Sequence, residues 1–527
     1  MATRDADVVV VGAGHNGLIC AAYLARAGFD VLAVEARDTV GGCASTVDAL
    51  GGRVNVCNCD HSMVRSTSIP DELDLARFGL EYLEVDPVQL SVSWNGDPAW
   101  FLFSDRQRTL DSLAAAHPGE VDNYRRYLRA ALPVASLVRE LALAAPSPRS
   151  VLGTLADRRG AGVATMLAWS RRSVGDVVRS FFGSEALRAP VVTTGPAVWG
   201  LSPETPRTGL GAVGYAMKHL VPVGRPVGGS GALPAAVHGA LVEAGGRVRT
   251  GARVTRLLTE RSHVRGVQLD GGEVIETATV VVATDPRRAI VAWLDHPPVA
   301  ASRFVTKWVQ RPVIDGYESK VDAVIASRPR YRALDDVLLA RHGVEEPLVP
   351  TTIVSPSLAE MASAHSAMGQ GRVAPDPMFF VNVPSVRDPT MNAGGGDVFS
   401  LEVLYTPYGL RGGWQGSTEP DRWLDRFATL VQPGWRQTIE RSRAVTPPVY
   451  EAEFNLSRGH APSFSGGPLT ALLARDPELT RYETPISGLF LTGAATFPGA
   501  GVWGASGRSA AAVVARRLGS PMRVGAP

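Results

Sequence analysis

Lysine is almost missing from this chain: of its 53 basic residues only Lys218, Lys307 and Lys320 are lysine, and the rest are arginine. Net charge is also small, at +2, so there is neither the basic block of a nucleic-acid binder nor an acidic tail. The arginine excess, with abundant Ala and Gly, fits GC-rich bacterial coding and says nothing about mechanism. Cysteine is scarce: four in 527 residues are too few for a disulfide framework. Cys57 and Cys59 would share one face of a strand, yet a C-x-C pair alone makes no zinc site. No metal-ligand spacing, P-loop or Ser/His/Asp grouping stands out, so no metal is expected. Unbroken apolar runs are lacking too. Val8–Ala25 carries no formal charge over 18 residues, the usual length of a spanning helix. It is interrupted by Gly12, Gly14, His15, Asn16 and Gly17, and Asp5 and Asp7 stand where a signal peptide wants positive charge. A cytoplasmic location is expected.

What is present is a globular balance, 45% apolar and 20% charged, with length for two or three domains or for one nucleotide domain carrying a large insertion. Asp7–Val11 (DVVVV) suits a strand buried on both faces of a parallel sheet. Gly12-Ala-Gly14-His-Asn-Gly17 follows at once, and Leu18–Ala27 has helical apolar spacing. A second strand, Asp30–Val34, ends in Glu35, 23 residues after Gly12. Gly12 makes the tight turn, Gly14 lets the backbone approach a pyrophosphate, and Gly17 lets helix and strand pack closely. The helix N-terminus offers N–H groups to the anion, and Glu35 can accept from ribose hydroxyls. Gly209-Leu-Gly211-Ala-Val-Gly214 matches the same pattern, but Pro203, Pro206 and Arg207 stand where the strand should be, so that match is read as chance. Arg37 and Gly41-Gly42 extend the first site toward a second phosphate and a ribityl chain, which argues FAD over NAD.

Further along, Leu73–Arg188 reads as mostly helical, with Val121–Leu143 amphipathic and broken or kinked at Pro133. Pro196–Pro226 reads as a crossing between domains. After Gly228-Gly-Ser-Gly231 come a helix at Ala232–Ala244, a strand at Arg247–Gly251, and a hairpin of Val254–Thr259 and Val264–Leu269 around His263. Val274–Asp285 closes in a buried strand, and Ala301–Val449 mixes strand and helix. Gly488–Gly493 reads as a buried strand, followed by a Gly-rich turn and the helix Ala505–Leu518, whose positive end would face a flavin.

These blocks resemble the phytoene desaturase-like branch of the FAD-dependent amine oxidase superfamily, and most of all its pyridine nucleotide-disulfide oxidoreductase domain 2 type. The matching runs are VVVVGAGHNGLICAAYLARAG, VEARDTVGGCAS, TGPAVWGLSPETPRTGLGAVGYAMKHLVPVGRPVGGSGAL and GLFLTGAATFPGAGVWGASGRSAA. The resemblance implies an α/β fold: a Rossmann-like FAD-binding domain assembled from three chain segments (1–70, 221–300 and 451–527). A mixed α+β substrate domain (71–220 and 301–450) is inserted into it. It also implies that Gly12, Gly14, Gly17, Glu35, Arg37, Gly41 and Gly42 hold the ADP half of a non-covalent FAD. Val254 would lie near the adenine, and Gly493, Ala494, Val502 and Trp503 along the phosphates and flavin. His15, Asn16, Ala36, Cys43 and Ala283 complete the expected cofactor set. One departure concerns the final turn, which in the family reads T-H-P-G-G-G and here is Thr496-Phe497-Pro498-Gly499-Ala500-Gly501. A role for that His therefore does not transfer.

The expected reaction is dehydrogenation of a small, largely apolar molecule, with the flavin as hydride acceptor and the protein supplying orientation and a dry site. Oxygen, a quinone or NAD(P) would take the electrons onward. His61 and His460 are the candidates for proton transfer if the substrate also loses a proton. An amine or amino-acid oxidase and a flavin-dependent isomerase or cyclase are the enzymatic alternatives. A binding protein like the Rab GDP-dissociation inhibitors is the non-enzymatic one, disfavoured by the intact Gly41-Gly42 block and final Gly-rich turn. The expected partners are the small-molecule substrate, a second copy in a homodimer and the surface of a membrane, with no nucleic acid.

Overall fold

The computed structural model describes residues 4–520 and 522, apart from 58, 144, 295, 393, 465–466, 468–469 and 472–475. Its centre is the run Val8–Val11 (β1), four valines that are almost wholly buried. β-branched residues suit such a strand because their stiff side chains pack well on a pleated surface. β1 pairs in parallel with Val31–Val34 (β2) on one side and Val280–Val282 on the other. Leu489–Leu491 and Arg247–Arg249 complete a five-stranded parallel sheet. Its strands thus come from the beginning, middle and end of the chain.

Alternation along β1 sets the layers. Val8 and Val10 face one hydrophobic cluster with the helix His15–Arg26 (α1), the helix Ala232–Glu243 and the last helix, Ala505–Arg517. Val9 and Val11 face a second cluster with Leu257, Val264 and Val267 of a three-stranded antiparallel sheet. That sheet contains the hairpin expected around His263, with the strands now at Val254–Glu260 and His263–Leu269.

A second large sheet has seven strands, in the order 439–445, 318–325, 397–404, 379–382, 351–355, 89–93 and 100–102. Its neighbours 351–355 and 89–93 run parallel and the other pairs antiparallel. Residues 73–188 are mostly helical, as expected, but two strands of this sheet lie among the helices. Gln89–Ser93 alternates polar Gln89 and Ser91 with core-facing Leu90 and Val92. Trp100–Leu102 pairs with it. The period of two is present, but its polar face is buried, which removes the contrast that makes alternation visible. At Pro133 the helix Val121–Ala142 runs through without a break. Tyr124, Tyr127, Leu128, Ala131, Ala135 and Leu137 are buried on either side of the proline, so packing holds the helix where local bonding would release it.

Gly17 and Gly507 are where α1 is held closest. A Cβ on Gly17 would sit 2.0 Å from the Gly12 carbonyl oxygen, and one on Gly507 would sit 2.3 Å from that of Asn16. Both obstacles are backbone and cannot turn aside. Gly17→Ala and Gly507→Ala should each cost about 1–3 kcal/mol or more, whereas Gly119→Ala, with nothing within 4 Å of its Cβ, should change stability by under about 0.5 kcal/mol. Thermal unfolding of the three variants checks this; equal melting temperatures would contradict the packing described.

Candidate functional site

Between the two large sheets lies a cavity of about 2390 Å³. One wall is the C-terminal end of the parallel sheet, where ligands of open α/β sheets bind. Gly12, with φ +101°, turns the chain out of β1, and α1 begins at Gly14 with no side-chain cap. Its first N–H groups are therefore available to an anion. A Cβ on Gly14 would find nothing closer than 3.9 Å, the Gly41 carbonyl and Gly42 Cα. Protein packing therefore does not forbid a side chain at this position. Glu35 closes the loop: its carboxylate accepts from the Ala13 N–H at 2.8 Å and from the Arg37 N–H at 3.0 Å. Arg37 in turn donates to the Gly42 carbonyl at 3.4 Å and to Ser45 Oγ at 3.3 Å. Asn16 Oδ1 is buried with no partner, as expected of a polar atom waiting for a ligand.

The far end of the chain completes this wall. The Gly493 N–H donates to Ser506 Oγ at 3.0 Å, and the last helix starts beyond Gly504, φ +75°, again without a side-chain cap. His15 bridges the two ends by bonding to the Gly501 backbone, and burial lowers its pKa to about 4. It is neutral at pH 7 and adds no charge to the groove. The structure thus gathers Gly12, Gly14, His15, Asn16, Gly17, Glu35, Ala36, Arg37, Gly41, Gly42 and Cys43 on the cavity. Val254, Ala283, Gly493, Ala494, Val502 and Trp503 line it as well. Phe497 does not: it is 2% exposed and packs edge-on against Phe464.

The opposite wall is one face of the seven-stranded sheet, and it is polar. Lys320 Nζ pairs with Asp322 at 2.6 Å and donates to the Asn55 carbonyl, while Arg443 reaches Asp322 at 3.2 Å. Arg225 pairs with Asp60 at 2.6 Å, and Thr351 ties Asp60 to Asn382. Burial alone would raise the Asp60 pKa, but Arg225 and Thr351 hold it below its usual value. Glu318 and Glu402 form no ion pair among the described residues, although Lys320 stands opposite Glu402 across the strands. Burial and the nearby Glu402 charge push Glu318 well up, and burial raises Glu402 to about 7 against the opposing pull of Lys320. Lys218, whose pKa burial lowers, also lines the cavity. None of these was singled out in the sequence as a site residue. The alternation Glu318, Lys320, Asp322, three charges on one strand face, was the available signal.

The two candidate histidines separate. His460 lines the cavity, packs at a tilt against Tyr317 with ring centroids 5.7 Å apart and leaves Nδ1 without a partner. Burial lowers its pKa, so it is neutral at pH 7. His61 is not brought to the cavity. It is fully buried, with Nδ1 bonded to the Tyr82 hydroxyl at 3.0 Å and Nε2 to Ser230 Oγ at 3.1 Å. Its backbone exchanges hydrogen bonds with Gly224. It clasps three segments together and has no free nitrogen to offer a substrate. Among the described residues no group of His, Cys, Asp and Glu forms a metal site, and no helix is long and apolar enough to cross a membrane.

Fold and groove define a class, the Rossmann-like dinucleotide-binding oxidoreductases of FAD type. Residues 10–72 match the family model of an NAD(P)-binding Rossmann-like domain. The particular likenesses are to pyridine nucleotide-disulfide oxidoreductase domain-containing protein 2 of Mus musculus, 28% identical over 97% of this chain and 94% of that protein. The zeta-carotene-forming phytoene desaturase of Myxococcus xanthus is 27% identical over 95% and 92%. A limonene dehydrogenase polypeptide of Castellaniella defragrans is 26% identical over 98% and 95%. Among solved structures, an oxidoreductase from Methanosarcina mazei superposes with TM-score 0.61 at 16% identity, covering 97% of this chain and 99% of that one. Putrescine oxidase bound to putrescine superposes with TM-score 0.62 at 17% identity, covering 97% and 98%. The resemblance read from the motifs is borne out, and the structural likeness shows the shared fold.

Two measurements probe this site. Gly14→Val should fold with near-normal stability and lose almost all bound FAD. Glu35→Ala should weaken FAD binding by roughly 1–3 kcal/mol, since it leaves the Ala13 N–H and the sugar hydroxyls unpaired. Equal, full flavin content in both would show that the loop is structural only. His61 should tie stability to acid: its folded pKa, about 3, lies below an unfolded value of about 6.5. Between these values the unfolded chain binds the extra proton, so stability is lost as pH falls from about 6.5 toward 3. Urea midpoints at pH 7.5 and 5 should differ in the wild type and differ less in His61→Gln.

Proposed function

We propose that the protein is an FAD-dependent dehydrogenase acting on a small molecule with a largely apolar body. The supporting observation is the continuity of the cavity from the phosphate groove to an apolar pocket lined by Val198, Leu201, Leu210, Val213, Met217 and Val221. Bound FAD supplies a two-electron hydride acceptor. The chain supplies the rest. Gly12–Gly17 and Glu35 hold the dinucleotide, the apolar pocket excludes water and aligns a C–H bond, and His460 Nδ1 is free to take a proton when the substrate loses one. Two relatives carry names with apolar substrates, phytoene and limonene. A second reading, oxidation of an amine with an apolar body, is favoured by Glu318 and Glu402, two carboxyls on the sheet wall of the cavity.

The purified protein should be yellow, and acid or heat should release intact FAD. Anaerobic stopped-flow mixing with monoterpenes and polyenes on one side and alkylamines on the other distinguishes the readings by which class bleaches the flavin. If a proton is transferred with the hydride, His460→Ala should slow bleaching about 10²–10⁴-fold at unchanged FAD content. An unchanged rate removes His460 from the chemistry. Absence of FAD from the folded protein would overturn the proposal as a whole.

A further inference from the structure

One polar row crosses the cavity face of the seven-stranded sheet from strand to strand. Gln89 lies opposite Thr351, and Thr351 Oγ bonds to Asn382 Oδ1 at 2.8 Å. Asn382 lies opposite Ser400, and Ser400 opposite Asp322. Residues directly opposite in a sheet point to the same side, and all five line the cavity that also holds the apolar pocket. The two ends of the row are engaged. Asp60 pairs with Arg225 and accepts from Thr351, and Asp322 pairs with Lys320 and Arg443. The middle is not. Arg225 donates to Asn382 Oδ1 at 2.8 Å, which turns the amide oxygen toward the arginine and leaves Nδ2, a donor, without a hydrogen bond. Ser400 Oγ has none either among the described residues. The Cβ atoms of such a facing pair lie about 4.5–5.5 Å apart, so one ligand atom can reach both side chains. Gln89 is fully buried, yet its Oε1 has no partner, which marks the same row as short of hydrogen-bond partners.

We infer that Asn382 and Ser400 form a subsite for a neutral oxygen, the hydroxyl or carbonyl of an otherwise apolar substrate. The Asn382 amino group donates to that oxygen, and Ser400 donates to a carbonyl or accepts from a hydroxyl. The inference rests on the reading of the cavity as that of a small-molecule dehydrogenase, and it narrows the substrate from hydrocarbons to oxygenated apolar molecules. A charged group fits the row less well. Arg225, Lys320 and Arg443 are held by Asp60 and Asp322, so a carboxylate finds no free cation there and an ammonium no free carboxylate. Discrimination against a hydrocarbon follows from an asymmetry. A hydrogen bond exchanged for one to water gains little, whereas a polar group covered without a partner costs its whole desolvation. A hydrocarbon lying over Asn382 Nδ2 and Ser400 Oγ covers both in that way.

The test is calorimetric titration of the flavin-loaded protein, kept anaerobic with its flavin reduced so that no hydride can be accepted. The ligands are farnesol, farnesal and farnesene, one apolar skeleton ending in a hydroxyl, a carbonyl or neither. Farnesol and farnesal should bind about tenfold or more tightly than farnesene. Ser400→Ala and Asn382→Ala should each remove most of that preference, whereas a merely structural defect would weaken all three ligands alike. Ser400→Ala breaks no hydrogen bond of the fold, so it decides even if Asn382→Ala does not fold. Equal affinities for farnesol and farnesene, tighter binding of farnesoic acid than of farnesol, no binding by any ligand, or a preference that survives Ser400→Ala would each overturn the inference. Bleaching of the oxidised flavin is read separately. Bleaching with equal affinities sinks the subsite and leaves the dehydrogenase, and a farnesol preference without bleaching by any ligand does the reverse.

Discussion

Everything around the cavity hangs on the contact between the Gly12 carbonyl and Gly17. The first turn of α1 comes so close to the end of β1 that a single methyl group there would stand 2.0 Å from a backbone oxygen. This closeness aims the helix N-terminus along the groove. It also brings α1 against the last helix, where Gly507 meets the Asn16 carbonyl in the same manner. The beginning and end of the chain are thereby locked into one wall, and His15, bonded to the Gly501 backbone, lies at their junction. Interiors this dense do not yield by small adjustments.

The opposite wall obeys another economy. A sheet face that looks into a protein should be apolar, yet here it bears Lys320, Asp322, Glu318 and Glu402. Two of these are satisfied by each other and by Arg443. Burial pushes the pKa of the remaining carboxyls up, with Lys320 pulling Glu402 the other way. Such groups are costly unless a ligand uses them. The cavity therefore combines an apolar pocket from the helical segments with an ionisable floor from the sheet, while its cofactor end is neutral at His15 and cationic at Arg37.

The same principle separates the histidines. His460 and His61 both lose basicity to burial, but only His460 keeps an unbonded nitrogen and touches the cavity. A pKa direction alone would not have distinguished a residue that can take part in chemistry from one that staples Tyr82 to Ser230.

By itself the sequence determined the nucleotide half of the protein. The strand of valines, Gly12, Gly14, Gly17 and Glu35 form a local pattern in which each residue type answers to a backbone or hydrogen-bonding need within a few dozen positions, and the terminal glycines repeat that logic. The seven-stranded sheet, the charged face built from Glu318 to Asp322 and Glu402, and the enclosure of His61 were decided only by the tertiary structure. Each depends on a partner far off in the chain or on which side of a strand is buried. Local periodicity carries no information about that when both faces of a strand are covered and the polar one looks into a cavity.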